Sequence, residues 1–361
     1  MNRADKRTAS SSTETTTRRR LLESAGLGLG LAGATGIVGA GSAAAAEPAR
    51  DAEAHARGRS RREDGDADAD SGTDPDPGPV TDQPLLDAHT HLIPEQTLDR
   101  DPLSADELIS WMDAHGIDRA VVLALDSPES YPVQAPSWWI LDQVESYPER
   151  LLPFCTIDPR TLVYEDDFGA VTELFDRYVE RGMRGFGELK AGLAIDDPRL
   201  ETLYERCVNY GLPILFHTDD KAMMDDVGLP RLEEVVASYP EVDFIAHAHA
   251  WWSHISADVG PDDRGDYPDG SIESGGRVPE LLATYDNIYG DISGGSGWNA
   301  LTRDPAYAQD FLSAHHDQLV FGTDYLAPGQ EIPHLSLFER FDLSADAWAN
   351  IRYRNIEGLI R

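Results

Sequence analysis

Eight short apolar runs, each followed by a stretch with helical spacing, recur between Leu85 and the C-terminus. This alternation is what most restricts the fold. The runs are Leu85–His91, Arg119–Asp126, Arg150–Ile157, Gly185–Leu189, Leu212–Phe216, Val242–Ala246, Asn287–Ile292 and Leu319–Gly322. They are strand-length and apolar on successive residues, the pattern of strands covered on both faces. Between them, Ser104 followed by Glu107 marks a helix N-cap with a capping box. Val171, Leu174, Phe175 and Val179 line one helical face. Short strands alternating with amphipathic helices imply parallel strands with helices outside, and eight such units make a (β/α)8 barrel, an α/β fold. An open doubly wound sheet fits less well, because no glycine-rich phosphate loop follows the first run.

Residues 1–46 stand apart from this pattern. Thr17-Arg18-Arg19-Arg20-Leu21-Leu22 precedes a weakly apolar, Gly/Ala-rich stretch that ends at Ala44-Ala45-Ala46. That is the layout of a twin-arginine export signal with small residues at its cleavage point. It implies passage through the twin-arginine translocase and an extracellular or cell-surface location. A stable membrane span is not expected of so glycine-rich a run. Residues 47–83 are rich in Asp, Glu, Arg, Gly and Pro, with too little apolar surface to offset the entropy of ordering, and read as a disordered acidic linker. The catalytic barrel is then expected over 84–361.

The chain carries 65 acidic against 30 basic residues, a formal charge of −35, and its only lysines are Lys6, Lys190 and Lys221. Acids spread over the whole length, with lysine nearly absent, suit a halophilic protein whose surface is screened by salt. The same charge repels a nucleic-acid backbone, so the expected partner is a small molecule. Cys155, in an apolar run, and Cys207, in a helical stretch, read as buried free thiols.

The chemistry is concentrated at the ends of the runs. His89 and His91 are two apart on a strand, so both project to one side and can hold a divalent ion. Later runs end at Glu188, His217, His247 and Asp324. In a (β/α)8 barrel all of these would meet at the C-terminal rim, where active sites form. Lys190 shares the strand of Glu188, and it or nearby Arg184 would pair with an anionic substrate group. Trp251, Trp252 and His254 open the long segment after the sixth run and are read as walls of a substrate pocket. Ser293, after the seventh run, is a further substrate-binding candidate. His249 is read as lying behind the ligands or in the loop.

Asp87-Ala88-His89-Thr90-His91, Leu215-Phe216-His217-Thr218, Phe244-Ile245-Ala246-His247 and Phe321-Gly322-Thr323-Asp324-Tyr325 resemble the motifs of the amidohydrolase superfamily. The nearest likeness is to its amidohydrolase-related hydrolases, a group that includes decarboxylases similar to aminocarboxymuconate semialdehyde decarboxylase. The resemblance runs from Pro84 to the C-terminus and implies a distorted barrel. By it, His89, His91 and Asp324 would ligate a metal, joined by His217, with Zn²⁺ favoured and Mn²⁺ or Fe²⁺ as alternatives. Asp324 would move the proton and His247 would orient water or polarise a carbonyl. In the TatD-like branch a strand-four glutamate bridges two ions, so Glu188 leaves a one- or two-metal site open. In other branches a carbamylated strand-four lysine does so, which is a second reading of Lys190. The implied activity is hydrolysis of a small amide, lactone or ester. Non-hydrolytic decarboxylation and a TatD-like phosphodiesterase are the alternatives.

Overall fold

The computed structural model describes residues 80–97, 100–161 and 169–360, which belong to one compact unit, residues 71–361. The expected export signal, and the linker as far as residue 79, lie outside the described residues. The end of the expected linker is ordered. Val80–Asp82 forms a 3-10 turn, the Gln83 amide donates to the Ala345 carbonyl at 2.9 Å, and Arg352 donates to the Gln83 carbonyl at 3.0 Å. No helix among the described residues is long and apolar enough to cross a membrane.

Eight parallel strands form one sheet in sequence order: β1 Leu86–Thr90, β2 Arg119–Leu123, β3 Leu151–Cys155, β4 Gly185–Leu189, β5 Ile214–His217, β6 Phe244–His247, β7 Ile288–Asp291 and β8 Leu319–Val320. β8 returns to β1 through Ala88 N–H to the Phe321 carbonyl at 2.8 Å and Asp324 N–H to the His89 carbonyl at 2.8 Å. The result is a (β/α)8 barrel, as the alternation predicts. Between the strands run α1 Ala105–His115, α2 Ser137–Val144, α3 Gly169–Glu180, α4 Pro198–Tyr210 and α5 Pro230–Ser238. Ser104 caps α1 with the expected capping box to Glu107. Cys155 and Cys207 are buried and unpaired.

Two helices depart from the sequence reading. The segment after β6 opens with α6, His249–Ser253, rather than with irregular loop. After α7, Arg277–Thr284, and β7, a helix α8 spans Gly294–Thr302. Its three glycines hid it, since glycine is a poor helix former.

The apolar residues divide by strand parity. Leu86, Ala88, Val121, Leu123, Leu152, Phe154, Leu215, Ile245 and Val320 form one buried cluster with Ile356 and Leu359 of the C-terminal helix, Asn355–Leu359, and with Ile360 just past it. The alternate residues Ala120, Val122, Ile214, Phe216, Phe244 and Ala246 belong to the larger cluster shared with the outer helices. The first cluster fills the barrel, and the C-terminal helix closes its floor. By this parity His217, His247, Asp291 and Asp324 face the interior. His89 and Glu188 have the wrong parity for it. The pairing register shifts between Asp87 and Thr90 in β1 and between Phe186 and Leu189 in β4. Such an irregularity re-aims the following side chains, and it brings His89, His91 and Glu188 into the same rim as the others.

Candidate metal centre

At the C-terminal rim the ring nitrogens His89 Nε2 and His91 Nε2 face each other at 3.1 Å. Asp324 Oδ1 lies 3.5 Å from each of them. Glu188 Oε2 is 3.5 Å from His91 Nε2 and 4.0 Å from His89 Nε2. Donors of a tetrahedral ion at about 2.0–2.2 Å stand about 3.3–3.6 Å from one another. The four atoms therefore approach the edges of one such coordination shell.

The tautomers agree. His89 Nδ1 donates to Asp291 Oδ2 at 2.6 Å, and His91 Nδ1 donates to the Leu123 carbonyl at 3.1 Å. Each ring then presents an Nε2 lone pair to the other, an arrangement that repels unless a cation or proton sits between them. Fixing Nδ1–H on a carboxylate or carbonyl is how metal-binding histidines are oriented. Glu188 Oε2 is buried and makes no hydrogen bond, although Lys190 Nζ stands 3.2 Å away as an ion pair. The Lys190 charge offsets part of the cost of burying this carboxylate, and with no hydrogen bond made, Oε2 keeps a lone pair for a further cation beside His91 Nε2. The residues fit a divalent metal.

A second group of candidate ligand atoms adjoins the first. Those of Glu188, His217 and His247 lie within 4.8 Å of one another, as do those of His89, His247 and Asp324. His217 Nδ1 is 2.8 Å from Glu188 Oε1. All six strand-end residues singled out in the sequence are thus brought together.

Asp291, at the end of β7, was not singled out, and it organises the cluster. Its Oδ2 meets His89 Nδ1, His247 Nδ1 at 3.1 Å and the Ser293 hydroxyl at 2.8 Å, and its Oδ1 accepts from the Ser293 amide at 2.9 Å. Burial pushes the Asp291 carboxyl up, but the charge on His89 and the imidazole hydrogen bonds outweigh it and hold Asp291 well below the usual carboxylate range. For His89 burial pushes down, while Asp291 and Asp324 raise it to about 9. In the metal-free protein His89 keeps a proton that an incoming ion must displace. His247 is held below its ordinary value by burial first and then by the charge on His89. Asp87, also unread, is buried and accepts from the His89 amide at 3.0 Å and the Thr323 hydroxyl at 2.6 Å, bracing β1 against the Asp324 loop. Asp291 ends its strand, the one local signal that could have found it, whereas Asp87 is the second residue of β1 and carries no such mark.

Five of the expected substrate contacts are corrected. Trp251 and Trp252 are buried in the core, where the Trp252 indole N–H donates to the Asp291 carbonyl at 2.8 Å. They back the site rather than wall a pocket. His254 is buried too, its Nδ1 on the Ala250 carbonyl and its Nε2 accepting from the Gly228 amide at 2.9 Å. Ser293 is fully buried and spends its hydroxyl on Asp291. Arg184 precedes β4 at the opposite end of the barrel from the rim, away from any substrate there. Lys190 alone of these residues stands at the rim, one-fifth exposed.

Two glycines make room for the cluster. A Cβ on Gly322 would stand 2.7 Å from Asp291 Oδ1 and 3.0 Å from His89 Cβ. Gly294, at φ 66°, would place one 3.1 Å from Asp324 Oδ2 and 3.2 Å from His247 Cε1.

The amidohydrolase family model matches residues 86–360, and the chain belongs to that family. No curated protein sequence gives a significant match. Among solved structures, an uncharacterised TIM-barrel protein from Bordetella bronchiseptica is 18% identical, with 76% of this chain and 98% of that one covered and a TM-score of 0.54. An amidohydrolase from Burkholderia multivorans with bound zinc is 15% identical, covering 77% and 99%, with a TM-score of 0.52. A 2,6-dihydroxybenzoate decarboxylase from Rhizobium is 18% identical, covering 77% and 98%, with a TM-score of 0.48. At these identities the first two likenesses speak to the fold alone.

Proposed function

We propose that the chain is a metal-dependent hydrolase of a small amide, lactone or ester. The observation that carries this reading is the meeting of two imidazole nitrogens and two carboxylate oxygens at close to the spacing of one coordination shell. His89, His91, Asp324 and Glu188 would hold the ion, with His217 and His247 adjoining it. Zn²⁺ suits this mixture of nitrogen and oxygen donors, with Mn²⁺ or Fe²⁺ as alternatives. When bound, the ion supplies Lewis acidity toward a water molecule and a substrate carbonyl.

The chain's own groups supply the proton handling. Burial pushes Asp324 up, but the charge on His89 outweighs it and holds the carboxyl well below the usual range. It is therefore ionised at neutral pH and accepts a proton only from a strongly acidified donor, then returns it to the leaving group. His247 is neutral at that pH. Its Nδ1–H rests on Asp291, which leaves Nε2 as an acceptor that orients water. Asp291 holds both imidazoles in these tautomers.

Decarboxylation is the second reading, favoured by the Lys190 ammonium at the rim, which suits a substrate carboxylate. A nucleic-acid phosphodiesterase sits poorly with a charge of −35. Elemental analysis of the purified protein and of His89→Ala, with CO₂ and proton release measured over cyclic esters, amides and aromatic acids, tests the proposal. A protein that takes up no divalent ion would sink it, and CO₂ release without hydrolysis would move the assignment to the second reading. We also propose export by the twin-arginine route; N-terminal sequencing of the secreted protein should begin at Glu47.

A further inference from the structure

Trp251 and Trp252 lie in the core, so the wall of the mouth beside β6 is built instead by residues 254–276, between α6 and α7. This segment crosses the rim from the loop after β5 to the helix after β7. On its β5 side the Arg264 guanidinium donates to the Asp225 carbonyl. Gly265 there lies so near Asp220 that a Cβ on it would stand 2.8 Å from Oδ1. On its β7 side the Asn299 side-chain amide of α8 donates to the Pro268 carbonyl at 3.1 Å, and the Ile272 N–H donates to Asp304 Oδ2 at 3.0 Å. Tyr267 stands between these anchors, its own N–H donating to Asp266 Oδ1 at 2.8 Å.

The ring is held on two sides. Its centroid is 4.6 Å from that of His249, with the planes 56° apart. Its hydroxyl end rests on Gly295, where a Cβ would meet Oη at 2.7 Å and two ring carbons at 3.1 Å. Gly295 has no positive φ and lies within α8, so it is the tyrosine, not the backbone, that requires a glycine there. The preceding residue, Gly294, abuts Asp324 and His247 in the same way. The phenol therefore reaches the edge of the metal centre from the β6–β7 side. Tyr267 is nonetheless 50% exposed, and its hydroxyl meets no hydrogen-bond partner among the described residues. Burial, then the charges on Asp324 and Asp266, push the phenol above its ordinary value. It keeps its proton at neutral pH and is a free donor at the mouth.

We propose that Tyr267 is a specificity-determining residue that touches the substrate: its ring walls the mouth between β6 and β7, and its hydroxyl donates to an oxygen of the reacting acyl group. This rests on the metal-dependent reading above and adds a substrate preference to it. An aromatic side chain offers a broad apolar face beside its polar tip. Substrates whose acyl oxygen adjoins a flat, apolar body are favoured over compact aliphatic ones.

The test is calorimetric titration of the Zn²⁺-loaded full-length chain with benzohydroxamate and acetohydroxamate, which carry the same acyl oxygen beside a flat or a compact body. Elemental analysis counts the ion in each protein. The wild type should bind benzohydroxamate more tightly. Tyr267→Phe should weaken both probes by about 3–10-fold, the loss of one hydrogen bond. Tyr267→Ala should also abolish the preference for benzohydroxamate. Gly295→Ala raises the helix propensity of α8 and keeps the tyrosine, yet its methyl group displaces the ring, so it should weaken both probes at least as much as Tyr267→Phe. All three variants should keep the wild-type ion count. Unchanged affinities in Tyr267→Phe and Tyr267→Ala would overturn the proposal, as would a loaded wild type that binds neither probe. Loss of the ion in Tyr267→Phe would also overturn it, by making the residue structural. A wild type that takes up no ion would sink the metal-dependent reading itself, and this role with it.

Discussion

The Asp291 carboxylate receives the His89 imidazole at 2.6 Å, although 202 residues separate the two in the chain. β7 and β1 are two places apart around the barrel, with β8 between them, and Gly322 of the loop after β8 leaves the gap through which the two side chains meet. One carboxylate buried behind the rim thereby fixes which nitrogen of His89 faces the ion. The same oxygen holds His247.

Asp291→Asn keeps the shape and removes the charge. The amide can present its N–H₂ to His89 Nδ1, which moves the ring proton to Nε2, the face the ion needs. Metal affinity should fall roughly 10–100-fold, the usual effect of removing a partner that orients a ligand. Chelator competition would measure it, and an unchanged affinity would show that His89 is oriented by packing alone.

Binding should be steeply pH-dependent. With His89 raised to about 9 in the metal-free protein, each ion must expel a proton below that pH. Apparent affinity should rise about tenfold per pH unit between roughly 6.5 and 9 and flatten above. The sign for stability is opposite. A raised histidine pKa stabilises the metal-free fold fully below about 6.5, and that contribution is lost as pH rises through 9. Calorimetry in buffers of different ionisation enthalpy would count the proton, and denaturant melts of the metal-free chain would follow the stability.

Gly322→Ala pushes a methyl group against Asp291, Ser293 and His89, all of them buried. Overpacking of this kind should cost about 1–3 kcal/mol and weaken metal uptake at the same time. A denaturant midpoint equal to that of the wild type would mean that the β8 loop yields without disturbing the site.

Lys190→Ala should raise KM for carboxylate-bearing substrates and leave that for neutral ones nearly unchanged. Steady-state kinetics on a matched ester and acid pair checks this. Equal KM values for the acid in both proteins would assign Lys190 to Glu188 alone.

The barrel was legible because every strand is a short apolar run between helical segments, a pattern that one-dimensional reading detects well. The ligands were legible where they end such runs in familiar company, as His217, His247 and Asp324 do. Asp291 follows Tyr289-Gly290, marked only by its place at a strand end, and its role exists only through two imidazoles from distant strands. The register shifts in β1 and β4 leave no trace in apolar spacing, yet without them His89 and Glu188 would miss the rim. Trp251 and Trp252 misled for a related reason. A tryptophan pair after a strand looks like the wall of an opening, but a single turn of α6 carries both rings into the core.

The packed barrel interior and the C-terminal helix beneath it have a consequence for traffic. With Ile356, Leu359 and Ile360 sealing the floor, reactant and product must share one doorway above the rim. A spent molecule lingering there excludes the next, so turnover is exposed to crowding by its own product.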